Sequence, residues 1–226
     1  MDERRNEGRP IDKYVLPQLA FEYSALEPHI AGRIMELHHS KHHAGYVRNA
    51  NETLERLGEA RVNENFASVA ALENALAFNV SGHVLHTIFW QNLGPNMGGE
   101  PMGELAEQIK KDFVSFAIFK KQMIAVASTV MGSGWGALVW EPLAKRLLTM
   151  QIYDHQSNVT QGGIPLMVLD AWEHAWYLQY ENRKTDFFEA VWALWNWPDI
   201  EKRFAEAKTL TLLSAPTGAK EQAAVS

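Results

Sequence analysis

The chain has 226 residues, 46% of them hydrophobic and 21% charged, with a formal net charge of −6 and no cysteine. That length allows one large domain or two small ones with a sizeable core. The acidic balance leaves no global basic excess to meet phosphates, so nucleic acid is not expected as a partner, and the missing cysteines exclude disulfides, a thiol nucleophile and thiolate metal ligands.

The first stretch, MDERRNEGRP (1–10), is polar and is followed by no apolar run. Neither a secretory signal nor a membrane span is expected, and the cytoplasm is the default location. Residues 1–13 and 211–226 read as disordered extensions. Between them, an extended and Pro-punctuated segment covers 14–28. A long helix is predicted from His29 to Leu57, on Ile30, Ile34, Leu37, Tyr46, Val47, Leu54 and Leu57 at steps near three or four. It is expected to kink at HHSKHHAG (38–45) and to end at Gly58. A second helix spans 65–79 and a third 81–95, opened by Ser81-Gly82 and closed by Gly94-Pro95. NMGGEP (96–101) reads as a linker, dividing a first domain (14–95) from a second (96–210).

Helices at 103–116 and 116–130 follow, then strands at 132–142, 144–155 and 164–170, the first two joined at Pro142. Helices at 171–182, 186–195 and 199–209 finish the ordered chain. The fold class is α+β, an all-α first part and a second part with a small antiparallel sheet.

Nine histidines are present, and the patterned ones carry the chemistry. In HHSKHH, His38 and His42 stand four apart on one helical face and His39 and His43 on the next. In GHVLH, His83 and His86 stand three apart. His86 lies in the apolar run Val84–Trp90, so it is expected to be buried and paired. Asp170 and His174, in DAWEHAWY (170–177), share one face if the segment coils. Surrounded by Trp172, Trp176 and Tyr177, they need either one another or a metal. Three imidazoles and one carboxylate suit iron, manganese or zinc with a position open to solvent.

Four blocks, LHHSKHHAGYV (37–47), GHVLHTIFW (82–90), GSGWGALVW (132–140) and DAWEHAWYLQY (170–180), resemble the signature blocks of the iron/manganese superoxide dismutases. The resemblance covers about residues 14–210 in the right order and spacing. It implies a helical hairpin domain followed by an α/β domain with a three-stranded antiparallel sheet. It also implies one iron or manganese ion per subunit, held by His38, His86, Asp170 and His174 with solvent as a fifth ligand. The implied reaction is disproportionation of superoxide by alternate reduction and reoxidation of that metal, which zinc cannot perform.

By the same resemblance Tyr46 and His42 form a gateway pair, and Trp90, Trp135 and Trp172 an aromatic cage. Glu173 reaches the metal-bound His174 of a partner subunit, and Tyr177 the partner's His42, so a homodimer is expected, with a homotetramer as a further option. Lys41 and Lys184 match basic positions at the substrate funnel. Three positions depart from the family pattern. Gly82 cannot supply the glutamine that iron members place beside the bound solvent, and the loop YDHQSN (153–158) offers His155 for that role, with Gln156 as fallback. This block resembles the mycobacterial-type branch. Leu85 stands where many members have asparagine, and Thr185 where proline is usual. Gly82 tilts the expected metal towards manganese, with a cambialistic enzyme as the alternative. Two other readings stand beside the dismutase: a non-haem iron oxygenase, and a metal-binding scaffold without turnover.

Overall fold

The computed structural model describes residues 13–211, so the expected terminal extensions, apart from Lys13 and Thr211, lie outside the described residues. The first helix is not the single rod from His29 to Leu57 that the periodicity predicts. A 3-10 turn occupies Tyr23–Leu26, and α1 begins only at Gly32 and runs to Leu37. The chain then widens into a π-helical turn, His38–His43, and continues as α2, Ala44–Val62. The irregularity falls on HHSKHH as expected, but as a local widening in which both flanking residues keep right-handed helical angles. Such π turns recur at functional sites because they re-aim side chains without ending the helix. Gly58 does not end α2, which goes on to Val62.

The helices expected at 65–79 and 81–95 are one, α3, Val69–Asn92. Ser81-Gly82 does not open a helix. It lies inside one, and the packing explains the glycine there. A Cβ on Gly82 would stand 3.0 Å from Tyr46 Cγ and 3.2 Å from His155 Cδ2. The helix bears the roughly 1 kcal/mol propensity cost of glycine because a side chain would fill the space those two residues occupy.

α4 (Gly103–Phe113) and α5 (Phe116–Ser128) lead into β1 (Gly134–Glu141), β2 (Arg146–Tyr153) and β3 (Ile164–Asp170). The sheet is antiparallel with order β2-β1-β3. β1 is the central strand and is buried on nearly every residue, as its apolar sequence requires. Its register places Trp135 opposite Asp170 on β3 and opposite Ile152 on β2.

The segment 171–182 is not the helix expected. Asp170 Oδ1 accepts from the Trp172 amide at 2.8 Å, a local turn that competes with helix formation. Only a 3-10 turn, Glu173–Ala175, and a single turn α6, Tyr177–Tyr180, follow before Glu181 adopts a φ of 54°. α7 (Lys184–Val191) passes into a 3-10 turn, and α8 (Trp197–Ala207) carries Pro198 in its first turn.

One continuous apolar cluster joins the C-terminal half of α3 to α4, α5, the sheet, α7 and α8. Buried Asn92, at the end of α3, stitches the helical half to β3: its amide donates to Leu166 O and accepts from the Val168 N–H, both at 3.2 Å. The end of the hairpin is thus held rigidly against the strand that ends at Asp170.

Candidate metal centre

The π turn, α3, the end of β3 and the following 3-10 turn bring His38, His86, Asp170 and His174 together. One ligand atom from each lies within 4.8 Å of every other. Three short distances meet at a single oxygen: Asp170 Oδ2 is 3.0 Å from His38 Nε2, 3.3 Å from His174 Nε2 and 3.8 Å from His86 Nε2. The other carboxylate oxygen is engaged by the Trp172 amide, so only Oδ2 faces the cluster. Asp170 and His174 do meet, but across a strand end and a 3-10 turn.

These contacts are not ordinary ion pairs. Burial, reinforced by the neighbouring His174, pushes His38 down to about 4 against the opposing pull of Asp170, and burial holds His86 well below its usual value. Both rings are therefore neutral at pH 7. Burial alone would raise the Asp170 carboxyl, but His174 and His38 outweigh it and hold the group far below the ordinary carboxylate range. His86 Nδ1 lies 2.6 Å from Gly82 O and so carries the proton, leaving the Nε2 lone pair aimed at the cluster.

All four facing atoms, His38 Nε2, His86 Nε2, His174 Nε2 and Asp170 Oδ2, are buried and make no hydrogen bond. Four orphaned polar atoms in one place are costly, and a cation among them satisfies all four. Nitrogen and oxygen donors in this number fit iron, manganese or zinc.

Aromatic rings enclose the cluster. Trp90 meets His38 edge-on with centroids 4.8 Å apart, Trp135 meets His86 edge-on at 5.0 Å, and Trp172 stacks on His174 at 5.4 Å. His155 is buried and packs between Tyr46, at 4.6 Å, and Trp172, at 4.5 Å. Its Nδ1 accepts from Trp135 Nε1 at 3.0 Å, and its Nε2 is a further buried atom without a partner. Gln156 folds back instead, its Oε1 accepting from the His155 amide at 3.2 Å.

Comparison with known proteins agrees with this geometry. The model of the iron/manganese superoxide dismutase alpha-hairpin domain matches residues 13–94, and that of the C-terminal domain matches residues 101–203. The chain belongs to the iron/manganese superoxide dismutase family. A superoxide dismutase (Fe) of Mycobacterium tuberculosis is 53% identical over 199 residues, covering 88% of this chain and 96% of that protein. A superoxide dismutase (Mn) of Mycolicibacterium smegmatis is 50% identical with the same coverage, and a superoxide dismutase (Mn/Fe) of Propionibacterium freudenreichii subsp. shermanii is 50% identical over 86% of this chain and 98% of its own.

The remaining residues expected of a superoxide dismutase site differ in exposure and in what they touch. His42 is exposed and stacks on His174 at 4.2 Å. Tyr46 sits half-buried beside His86 at 5.1 Å, and burial, helped by Asp170, raises its phenol so that it keeps its proton. Glu173 and Tyr177 are exposed, Tyr177 at 52%. Lys41 is exposed, whereas Lys184 is half-buried with its Nζ donating to Val130 O at 3.1 Å. Phe78 is a wall residue the sequence reading missed. It packs on Tyr46 at 5.8 Å and on His155 at 4.8 Å. It stands four residues before Gly82 on the continuous α3, a relation hidden by reading that stretch as two helices.

Proposed function

We propose that this protein disproportionates superoxide, with His38, His86, Asp170 and His174 holding one iron or manganese ion. The observation that carries the reading is the convergence of four orphaned buried donor atoms within 4.8 Å in a chain of this family. When bound, the ion supplies the one-electron redox cycle by which two superoxide ions and two protons become dioxygen and hydrogen peroxide.

The protein's part is to shape and protonate the site. Because His155 Nδ1 accepts the Trp135 indole N–H, its own proton sits on Nε2 and is offered to a solvent molecule in the site. Tyr46 keeps a phenolic proton and lies against His155 and His86, which suits it to relay protons. Lys41 and Lys184 lend local positive charge to an otherwise acidic molecule and favour approach of a small anion. Relatives half identical to this chain bear the names Fe, Mn and Mn/Fe, so this architecture serves either metal. Gly82 with His155 in its space favours manganese here, with iron also accepted.

A homodimer completes the reading. Glu173 and Tyr177 are exposed, with exposed Leu178 next to Tyr177 in the chain, and in a pair of subunits they meet the partner's His174 and His42. Sedimentation at micromolar concentration is expected to give a dimer or a tetramer, and an active monomer would refute it. No helix among the described residues is long and apolar enough to cross a membrane, and a cytoplasmic location is proposed, to be checked by fractionation.

The deciding experiment follows superoxide decay directly in metal-free, iron-loaded and manganese-loaded protein. Rapid decay with at least one metal, and none without, supports the reading. Silence from both loaded forms, with metal bound, refutes it.

A further inference from the structure

The proposed metal centre leaves three patterned histidines without a role: His39, His43 and His83. His39 clasps the N-terminal segment, with Nε2 2.8 Å from Pro17 O and Nδ1 3.2 Å from Tyr23 Oη. His43 is placed differently. It is fully buried, with Nδ1 2.9 Å from Trp90 Nε1 and Nε2 2.7 Å from His83 Nδ1.

An indole N–H only donates. His43 Nδ1 therefore accepts, so the neutral ring carries its proton on Nε2 and donates to His83 Nδ1. His83 in turn carries its proton on Nε2. The three side chains form a row in which every donor points the same way, from Trp90 through His43 to His83. The outer end is half-buried, under the edge of the Tyr14 ring at 5.5 Å, and Tyr14 is fixed by reciprocal bonds with Asn51 at 2.8 and 2.9 Å. The inner end rests on the cluster: Trp90 meets His38 at 4.8 Å, and the His43 ring stacks on His86 at 5.3 Å.

We propose that His43 and His83 are positioning residues of the metal centre, a one-way hydrogen-bond row that holds Trp90 and the His43 ring as the wall against which His38 and His86 are set. The role rests on reading the four-residue cluster as the metal site. The row has a single working pattern. In the other tautomer, His43 Nδ1–H would face the Trp90 N–H, two buried donors with no acceptor between them. Removing the acceptor at position 83 orphans the His43 Nε2–H and releases that constraint.

Two measurements test this. In metal-free protein, long-range proton–nitrogen NMR of the imidazoles reports tautomers without any metal. His43 and His83 are both expected with the proton on Nε2, and a His43 protonated on Nδ1 overturns the row. Next, chelator competition on the full chain compares wild type with His83→Leu and His83→Asn, the latter presenting Oδ1 where Nδ1 accepted. His83→Leu is expected to lower manganese affinity by about tenfold or more and to change the rhombicity of the iron(III) resonance signal. His83→Asn should restore both. A core variant in α4 with a matched loss of Tm, Ile109→Ala, should move neither. Unchanged affinity and signal in His83→Leu overturn the positioning role. Wild type that binds no metal overturns the metal reading instead, leaving the NMR result to judge the row.

Discussion

Trp135 Nε1 donates to His155 Nδ1 at 3.0 Å, and this one bond puts the proton of the neutral ring on Nε2, the buried nitrogen left without a partner. Trp135 is also the residue paired with Asp170 across β1 and β3. The same residue of β1 therefore stands beside a proposed ligand in the sheet, through its backbone, and fixes the tautomer of His155, through its side chain. Trp135→Phe keeps most of the apolar volume and deletes the donor. Metal content should be retained while activity per bound metal falls about tenfold or more, the usual scale for loss of an outer orienting bond. Equal activity per metal would show that His155 does not depend on Trp135.

His155→Gln tests the residue itself. Its buried Nε2 has no protein partner, so glutamine at that position offers an amide in its place. Folding and metal uptake are expected to survive, and the ratio of iron-loaded to manganese-loaded activity to shift. An unchanged ratio counts against His155 as the group that bonds solvent in the site.

Gly82→Ala sets two effects against each other. Helix propensity favours alanine by about 1 kcal/mol, but the added Cβ lies 3.0 Å from Tyr46 Cγ and 3.2 Å from His155 Cδ2. Overpacking of that kind costs about 1–3 kcal/mol, so the variant should be less stable by about 1 kcal/mol and less active. The urea midpoint and activity per metal report both. A stabilised, fully active variant would mean that Tyr46 and His155 yield without consequence.

These residues also show what was legible beforehand. The four clustered donors sit in local patterns, HHSKHH, GHVLH and DAWEH, whose spacings survive even where the helix type does not. What the periodicity misread was the backbone between them. Glycine inside α3 mimics a helix break because only the packed structure shows Tyr46 and His155 occupying its side-chain space. The 171–182 segment has helical composition, yet Asp170 caps its own turn and Trp176 leaves the helical region at φ −142°. The hydrogen bonds Trp135–His155 and Trp90–His43 join residues 20 and 47 apart, and no local pattern encodes them.

The metal-free protein should lose stability on mild acidification. Burial, the leading cause in each case, lowers His38 and His155 to about 4 and His43 to about 3 from an ordinary 6.5. Between those values the unfolded chain binds more protons than the folded one, so stability rises with pH. The contribution is fully present above about 6.5 and is lost as pH falls through 4. Asp170, held far lower, adds its loss only in stronger acid. Calorimetry should show Tm falling from pH 7 to pH 4 in the metal-free form, and at least as steeply in the loaded form, where the ion keeps protons off the same nitrogens and widens the proton difference between the unfolded and folded chain. A flat Tm in the metal-free form would contradict the neutral, buried state of these rings.

The most direct test of the central claim is anomalous diffraction at the manganese or iron edge from crystals of active, loaded protein. The account predicts one peak per chain, about 2.0–2.2 Å from His38 Nε2, His86 Nε2, His174 Nε2 and Asp170 Oδ2, as ordinary for nitrogen and oxygen ligands of first-row ions. A peak elsewhere, or none in protein that still removes superoxide, would contradict it.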